Sequence, residues 1–240
     1  MNRKLWLDDS RDKPCPNCHS GKLVYDSKNA LSNETRQSLE NNEHYKKGLV
    51  CPESNYLVSA HLKCEECGEV VVAVYERSED VRHTDEDGNE ISMWKSLLFH
   101  SAPHIIKVPA SCSPSFKKHL IKSFGLFWYD EASCGNKIRV ALETLLEDFG
   151  ILSIDSNGKF VTLGKRLEQF AQVKPELKEF LNAIRLIGNS ASHDDKLTKE
   201  DLLDAYDLIE HSLELLYREK ETALISLAEK IKSNNGPAVR

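Results

Sequence analysis

The chain has 240 residues, 40% of them apolar and 29% charged, and a formal net charge of −6. Those proportions are ordinary for a soluble globular protein of one or two domains, and no apolar run reaches the roughly 20 residues that span a bilayer. The acidic balance argues against coating nucleic acid by charge alone, because nonspecific binding draws on clustered Lys and Arg. The N-terminus turns acidic at Asp8-Asp9 before an apolar stretch develops, so no secretory signal is expected and the expected location is cytoplasmic. Seven cysteines in that compartment point to metal or buried thiols instead of disulfides.

Cys15-Pro16-Asn17-Cys18 and Cys64-Glu65-Glu66-Cys67-Gly68 are two CxxC knuckles. Two residues between thiols let a tight turn offer both sulfurs to one ion, and a second knuckle completes a tetrahedral four-cysteine zinc site. Four cysteine ligands leave no position for water, so this zinc is expected to be structural. Gly68 suits a turn position with positive φ. Residues 19–63 exceed the roughly 15 to 20 that usually separate the knuckles of a ribbon. The polar stretch at about 26–48 therefore reads as an insertion, an excursion with at most a weak solvent-facing helix around Thr35 to Asn42. Cys51, His19 and His61 lie close enough in sequence to replace one ligand, which leaves the set open at that point.

Tyr56–Leu62 and Glu69–Tyr75 are rich in β-branched and aromatic residues and are expected as strands framing the knuckles. Residues 78–92 read as an acidic, turn-rich loop with a hairpin-like Asp87-Gly88. Pro103, Pro109 and Pro114 discourage regular structure and mark a crossover between domains.

From Ser115 the periodicity becomes helical. Phe116, Leu120, Phe124 and Trp128 recur every four residues; Ile138 to Phe149 form a second helix, with Gly150 placed as its C′ stop. A short helix near Leu163–Ala171 follows the turn Asp155-Ser156-Asn157-Gly158, and Pro175 suits the first turn of the next helix, whose apolar face is Leu177, Phe180, Leu181 and Ile184. Thr198 resembles an N-cap for a last helix through Leu202, Tyr206, Ile209, Leu213 and Leu216, extending toward residue 232. About five such helices make a bundle. The expected architecture is α+β: a small zinc-ribbon-like β domain over 1–102, then an all-α domain over 103–240.

At 100° per residue, Lys178, Asn182, Arg185, Asn189 and His193 gather on a polar stripe about a third of a turn from Ile184. If the helix continues through Gly188, Arg185, Asn189 and His193 are successive i, i+4 neighbours; if Gly188 ends or bends it, His193 lies in a turn opposite Arg185. Histidine moves protons near neutral pH and arginine clamps phosphate, so the set suits metal-independent cleavage of RNA. The same residues also suit a structural role in which Arg185 pairs with Glu143 or Glu147, Asn189 caps a helix end and His193 sits in a loop.

Tyr129-Asp130-Glu131-Ala132, Arg139-Val140-Ala141-Leu142-Glu143 and Ile184-Arg185-Leu186-Ile187-Gly188-Asn189-Ser190-Ala191-Ser192-His193, in this order, resemble the domain of unknown function 4145 family, a HEPN-like helical group. The resemblance covers residues 103 to 218 or so. It implies a HEPN-like bundle, an N-terminal zinc-binding knuckle, restriction or phage-defence contexts, and a homodimer that assembles an arginine, a polar residue and a histidine across its interface. By that resemblance Arg185, Asn189 and His193 are the catalytic candidates, although Gly188 stands where the motif's arginine would be. Two readings follow: a HEPN-like RNA-binding or RNA-cleaving protein, or a noncatalytic interaction module docking a protein partner. Neither involves a membrane.

Overall fold

The computed structural model describes residues 3–7, 13–48, 53–84, 90–190, 197–217 and 219–237. The fold is α+β, an antiparallel sheet followed by helices. Among the described residues no helix is long and apolar enough to cross a membrane. The chain divides into two compact units: Met1–Ile105 with Ile121–Cys134 and Thr198–Glu200, and Ile106–Leu120 with Gly135–Leu197 and Asp201–Arg240.

The first unit is built on strands β1 (Lys13–Pro14), β2 (Lys22–Val24), β3 (Ala30–Glu34), β4 (Glu53–Cys64), β5 (Val70–Thr84) and β6 (Glu90–His100), with helices α1 (Arg3–Leu7) and α2 (Arg36–Lys46). The sheet runs β1-β2-β4-β5-β6, all antiparallel, and β3 pairs β4 along the edge that β2 also occupies. Side chains alternate across a strand, so one face takes every second residue. Val58, Ala60, Leu62 and Cys64 of β4 and Val71, Ala73 and Tyr75 of β5 are buried on that face, while Ser59, His61 and Lys63 are exposed on the other. Phe99 closes the buried face, its ring 4.9 Å from Trp128, which in turn lies 6.3 Å from Trp6.

The sheet is larger than the sequence suggests. Within the polar stretch at 26–48, residues 30–34 join the sheet in register with β4, and Thr35 caps α2 by accepting the N–H of Ser38. The helix is solvent-facing as expected, with Ser38 its one buried residue. The acidic loop expected over 78–92 is a correction. Strand β5 continues to Thr84 and β6 starts at Glu90, because polar Ser78 and Glu79 are held by pairing to both β4 and β6. Asp87-Gly88 lies outside the described residues.

The second unit contains the first part of α3 (Pro114–Tyr129), most of α4 (Glu131–Asp148), α5 (Leu163–Val173), α6 (Lys178–Ser190), most of α7 (Lys199–Tyr217) and α8 (Glu219–Ser233). Their apolar stripes meet at Phe116, Ile138, Leu142, Leu181, Ile184 and Leu213, all buried. Gly150 ends α4 with φ +78°; its N–H bonds to the Glu147 carbonyl and that of Ile151 to the Leu146 carbonyl, a Schellman motif. Pro175 starts the 3₁₀ turn Pro175–Leu177 that leads into α6. The helix expected to run from Thr198 toward residue 232 is described as α7 and α8, with Arg218 between them outside the described residues.

Candidate functional site

The two knuckles are built alike. Cys15 N–H bonds the Gly21 carbonyl at 2.8 Å and Cys64 N–H bonds the Glu69 carbonyl at 2.8 Å, which closes each loop on the chain after it. Four residues past each first cysteine, the N–H of His19 and of Gly68 returns to the carbonyl of Cys15 and Cys64, both at 3.1 Å. That position needs positive φ: Gly68 has +77°, as its sequence context suggested, and His19 takes +61° in spite of its side chain.

The pairing of β2 with β4 brings Leu23 opposite Cys64 and so joins the knuckles. The sulfurs of Cys15, Cys18, Cys64 and Cys67 all lie within 4.8 Å of one another, a set that can bind one metal ion. The cross-knuckle pairs Cys15–Cys67 and Cys18–Cys64 are each 3.6 Å apart. Backbone N–H groups point at the sulfurs: Asn17 to Cys15 at 3.4 Å, Gly21 to Cys18 at 3.3 Å and Cys67 to Cys64 at 3.5 Å. Such donors favour thiolate, the form that ligates metal. Cys15 and Cys64 are buried, Cys18 is half-buried and Cys67 exposed. Burial pushes the Cys15 thiol up to about 12, whereas the N–H groups of Gly21 and Ser20 bring Cys18 down to about 6.

Among the described residues the cluster contains neither histidine that sequence proximity offered. His61 projects from the exposed face of β4, opposite Cys64's face, and the His19 ring packs against His104 at 4.8 Å. His104 is brought down to about 4, first by burial and then by the charge of His19. Cys51 lies outside the described residues. Sequence reasoning missed Gly21, where a β-carbon would stand 2.5 Å from the Cys64 sulfur, and the cross-knuckle bond from the Ser20 hydroxyl to Glu66 at 2.6 Å.

In the second unit, α6 runs through Gly188 to Ser190 without a break. Gly188 does not end it; a β-carbon there would meet Arg139 Cβ at 2.9 Å and the Gly135 carbonyl at 3.2 Å, so the glycine permits the close approach of α4. Asn182, Arg185 and Asn189 follow at spacings of three and four and are half-buried. Arg185 Nε and Nη2 both donate to Asn182 Oδ1, at 3.0 and 2.8 Å. The acids considered as partners for Arg185 pair elsewhere: Glu143 with Arg139 at 3.4 Å and Glu147 with Arg166 at 3.6 Å. His193 lies outside the described residues.

Residues 122–234 match the model of a domain of unknown function, DUF4145. Residues 4–101 match that of a second domain of unknown function, DUF8608. No curated protein and no solved structure matches the chain. The DUF4145 segment contains all three stretches that carry the sequence resemblance, and the geometry gives several of their residues structural work. Asp130 caps α4, accepting the N–H and hydroxyl of Ser133 at 2.8 and 2.6 Å, bonds that hold its carboxyl below its ordinary value. Arg139 and Gly188 form the contact between α4 and α6. Cys134, within the DUF4145 segment, and Cys112, before it, are buried, with the Cys134 thiol donating to the Ser123 carbonyl at 3.3 Å.

Proposed function

We propose that the helical part is a HEPN-like RNA-binding or metal-independent RNA-cleaving domain, acting as a homodimer in a phage-defence or restriction-type system and carried on a zinc-stabilised ribbon-like β unit. The observation that supports it is the unbroken α6, which sets Asn182, Arg185 and Asn189 one turn apart with the guanidinium planted on Asn182. In this reading Arg185 holds the phosphate, Asn189 orients it, and His193 takes the proton of the ribose 2′-hydroxyl. That oxygen attacks phosphorus, the 5′-oxygen leaves with a proton, and a cyclic phosphate remains.

The cysteine set suits zinc. Zn–S distances of about 2.3 Å put the edges of a tetrahedron at roughly 3.8 Å, near the 3.6 Å of the two cross-knuckle pairs. Bound there, zinc supplies a cross-link between the two knuckles, and its four ligands leave no open position for chemistry.

The test is incubation of labelled structured RNA with the full chain, without added divalent ions, beside Arg185→Ala and His193→Ala. Cleavage that leaves cyclic phosphate ends and disappears in both variants is the expected result. Folded, metal-loaded protein that neither cleaves nor binds RNA overturns the reading.

A second reading, a noncatalytic module docking a protein partner, is favoured by Gly188. The position of the motif's arginine is filled by a glycine that packs against α4, and Arg185 already spends two donors on Asn182.

A further inference from the structure

We infer that the open face of the sheet in the first unit is a docking surface for a second copy of this chain. Antiparallel sheets with one solvated face ordinarily line it with polar residues. Here the solvated face carries Val24, Leu31, Leu57, Val70, Met93 and Leu98, each between 38% and 64% exposed.

The register makes these residues one patch. Leu31 stands opposite Ser59, Ser59 opposite Val74, and Val74 opposite Leu98, so one row crosses β3, β4, β5 and β6. Toward the cysteines, His61, Val72 and His100 form the next row, and Val24, Lys63 and Val70 the one after. On the other side, Leu57, Glu76 and Lys95 are aligned. Strands lie about 4.8 Å apart and same-face neighbours about 6.8 Å apart, so four strands by four rows measure roughly 19 by 27 Å. Two such faces packed together bury on the order of 1,000 Å², the area at which specific interfaces begin.

Charge and chemistry favour a second copy over other occupants. Glu76 stands opposite Lys95 in register, so that end of the face offers no net charge to a strongly acidic or basic partner. A nucleic-acid strand takes stacking rings, and Tyr56, Tyr75, Trp94 and Phe99 all lie on the opposite face by register. Aligned sheet-on-sheet packing is a standard arrangement. With a twofold axis in the interface across the strands, Lys63 of one copy comes over the row that contains Glu76 of the other. The row of Leu31, Val74 and Leu98 then meets the row in which Val72 lies between His61 and His100.

The docking face belongs to the first unit and the Arg185 stripe to the second, so a dimer indifferent to this face leaves the proposed RNA reading standing, whereas a monomer removes the homodimer from both. The experiment is sedimentation velocity of the full chain over about 1–100 µM, a range bracketing ordinary interface affinities, beside Leu31→Lys and Leu57→Lys. Both residues are more than half exposed, so far-UV circular dichroism and metal content should not change. The expected result is a dimer whose dissociation constant rises at least roughly tenfold in each variant, because lysine must be desolvated against apolar surface. A chain that is monomeric throughout, or a dimer indifferent to both substitutions, overturns the proposal; the second outcome assigns self-association to another surface.

Discussion

A β-carbon on Gly21 would stand 2.5 Å from the sulfur of Cys64, 43 positions away in the chain. No real Cβ approaches sulfur so closely, and the next atoms in its way are Glu66 Cβ and Cγ at 3.0 and 3.1 Å. Gly21→Ala must therefore separate the knuckles or displace one metal ligand. The variant is expected to purify with well under one metal ion per chain and to melt earlier than the parent protein, read by elemental analysis and thermal denaturation. Full metal loading in Gly21→Ala would mean that the knuckles do not close on one ion.

The two thiols of the first knuckle respond to pH in opposite directions once metal is removed. Burial raises Cys15 to about 12, so its contribution to the metal-free fold is complete below the ordinary thiol value of 9.0 and is lost as pH climbs toward 12. The N–H groups of Gly21 and Ser20 lower Cys18 to about 6, so its contribution is present above 9.0 and lost as pH falls through 6. At pH 7 Cys18 is then mostly thiolate and Cys15 protonated. Adding zinc to the apoprotein should expel protons into a weak buffer, the Cys15 proton among them, and affinity should weaken steeply on acidification below pH 6. Alkylation of the apoprotein at pH 7 should modify Cys18 before Cys15; the reverse order would refute the assignment.

What was legible in the sequence is what local spacing decides. The CxxC pairs announce their chemistry because two residues between thiols fix a turn by themselves, and Gly150 announces a helix end because the Schellman turn needs positive φ within a few residues. Strand β6 was illegible because a bulge at Leu97 breaks its alternation: Val74 pairs Leu98 while Tyr75 pairs Ser96. Strand β3 was hidden for a different reason. Ser32, Asn33 and Glu34 have no strand-like pattern, and the segment is held by backbone pairing to β4. At Gly188 and Gly21 the sequence shows only a glycine; the need for it comes from α4 and from Cys64, partners that appear only in three dimensions.

Arg166, which periodicity places merely on a short helix, is 2% exposed and ties α5 to the end of α4. Its Nε and Nη2 donate to the Ile151 carbonyl at 3.0 and 2.7 Å, Nη2 donates to the Glu143 carbonyl at 2.9 Å, and Glu147 lies 3.6 Å away. The Ile151 carbonyl lies past the end of α4, outside its helical ladder, whereas that of Glu143 lies within α4. Removing the guanidinium leaves the Ile151 carbonyl without this donor, so Arg166→Ala should cost about 1–3 kcal/mol in urea denaturation of the full chain. Arg166→Lys should recover only part of that loss, because an ammonium lacks the planar fork that reaches both carbonyls. An unchanged midpoint for Arg166→Ala would remove this arginine from the account of the fold.

Gly188 gives the most direct test of how α6 is placed, because helix propensity and packing predict opposite signs. In an isolated helix, alanine is better than glycine by about 1 kcal/mol. Here the added methyl would meet Arg139 Cβ at 2.9 Å and the Gly135 carbonyl at 3.2 Å, and backbone on α4 cannot yield as a flexible side-chain end would. Overpacking of that kind costs about 1–3 kcal/mol, which offsets the propensity gain and more. Gly188→Ala is therefore expected to lower the melting temperature, and Gly188→Arg to disrupt α4–α6 packing further. Arg185→Ala, on the half-buried stripe, should leave melting nearly unchanged while, in the reading proposed above, weakening RNA binding. A rise in melting temperature for Gly188→Ala would show that α4 does not approach α6 at this point, and the placement of Arg185 beside that contact would fall with it.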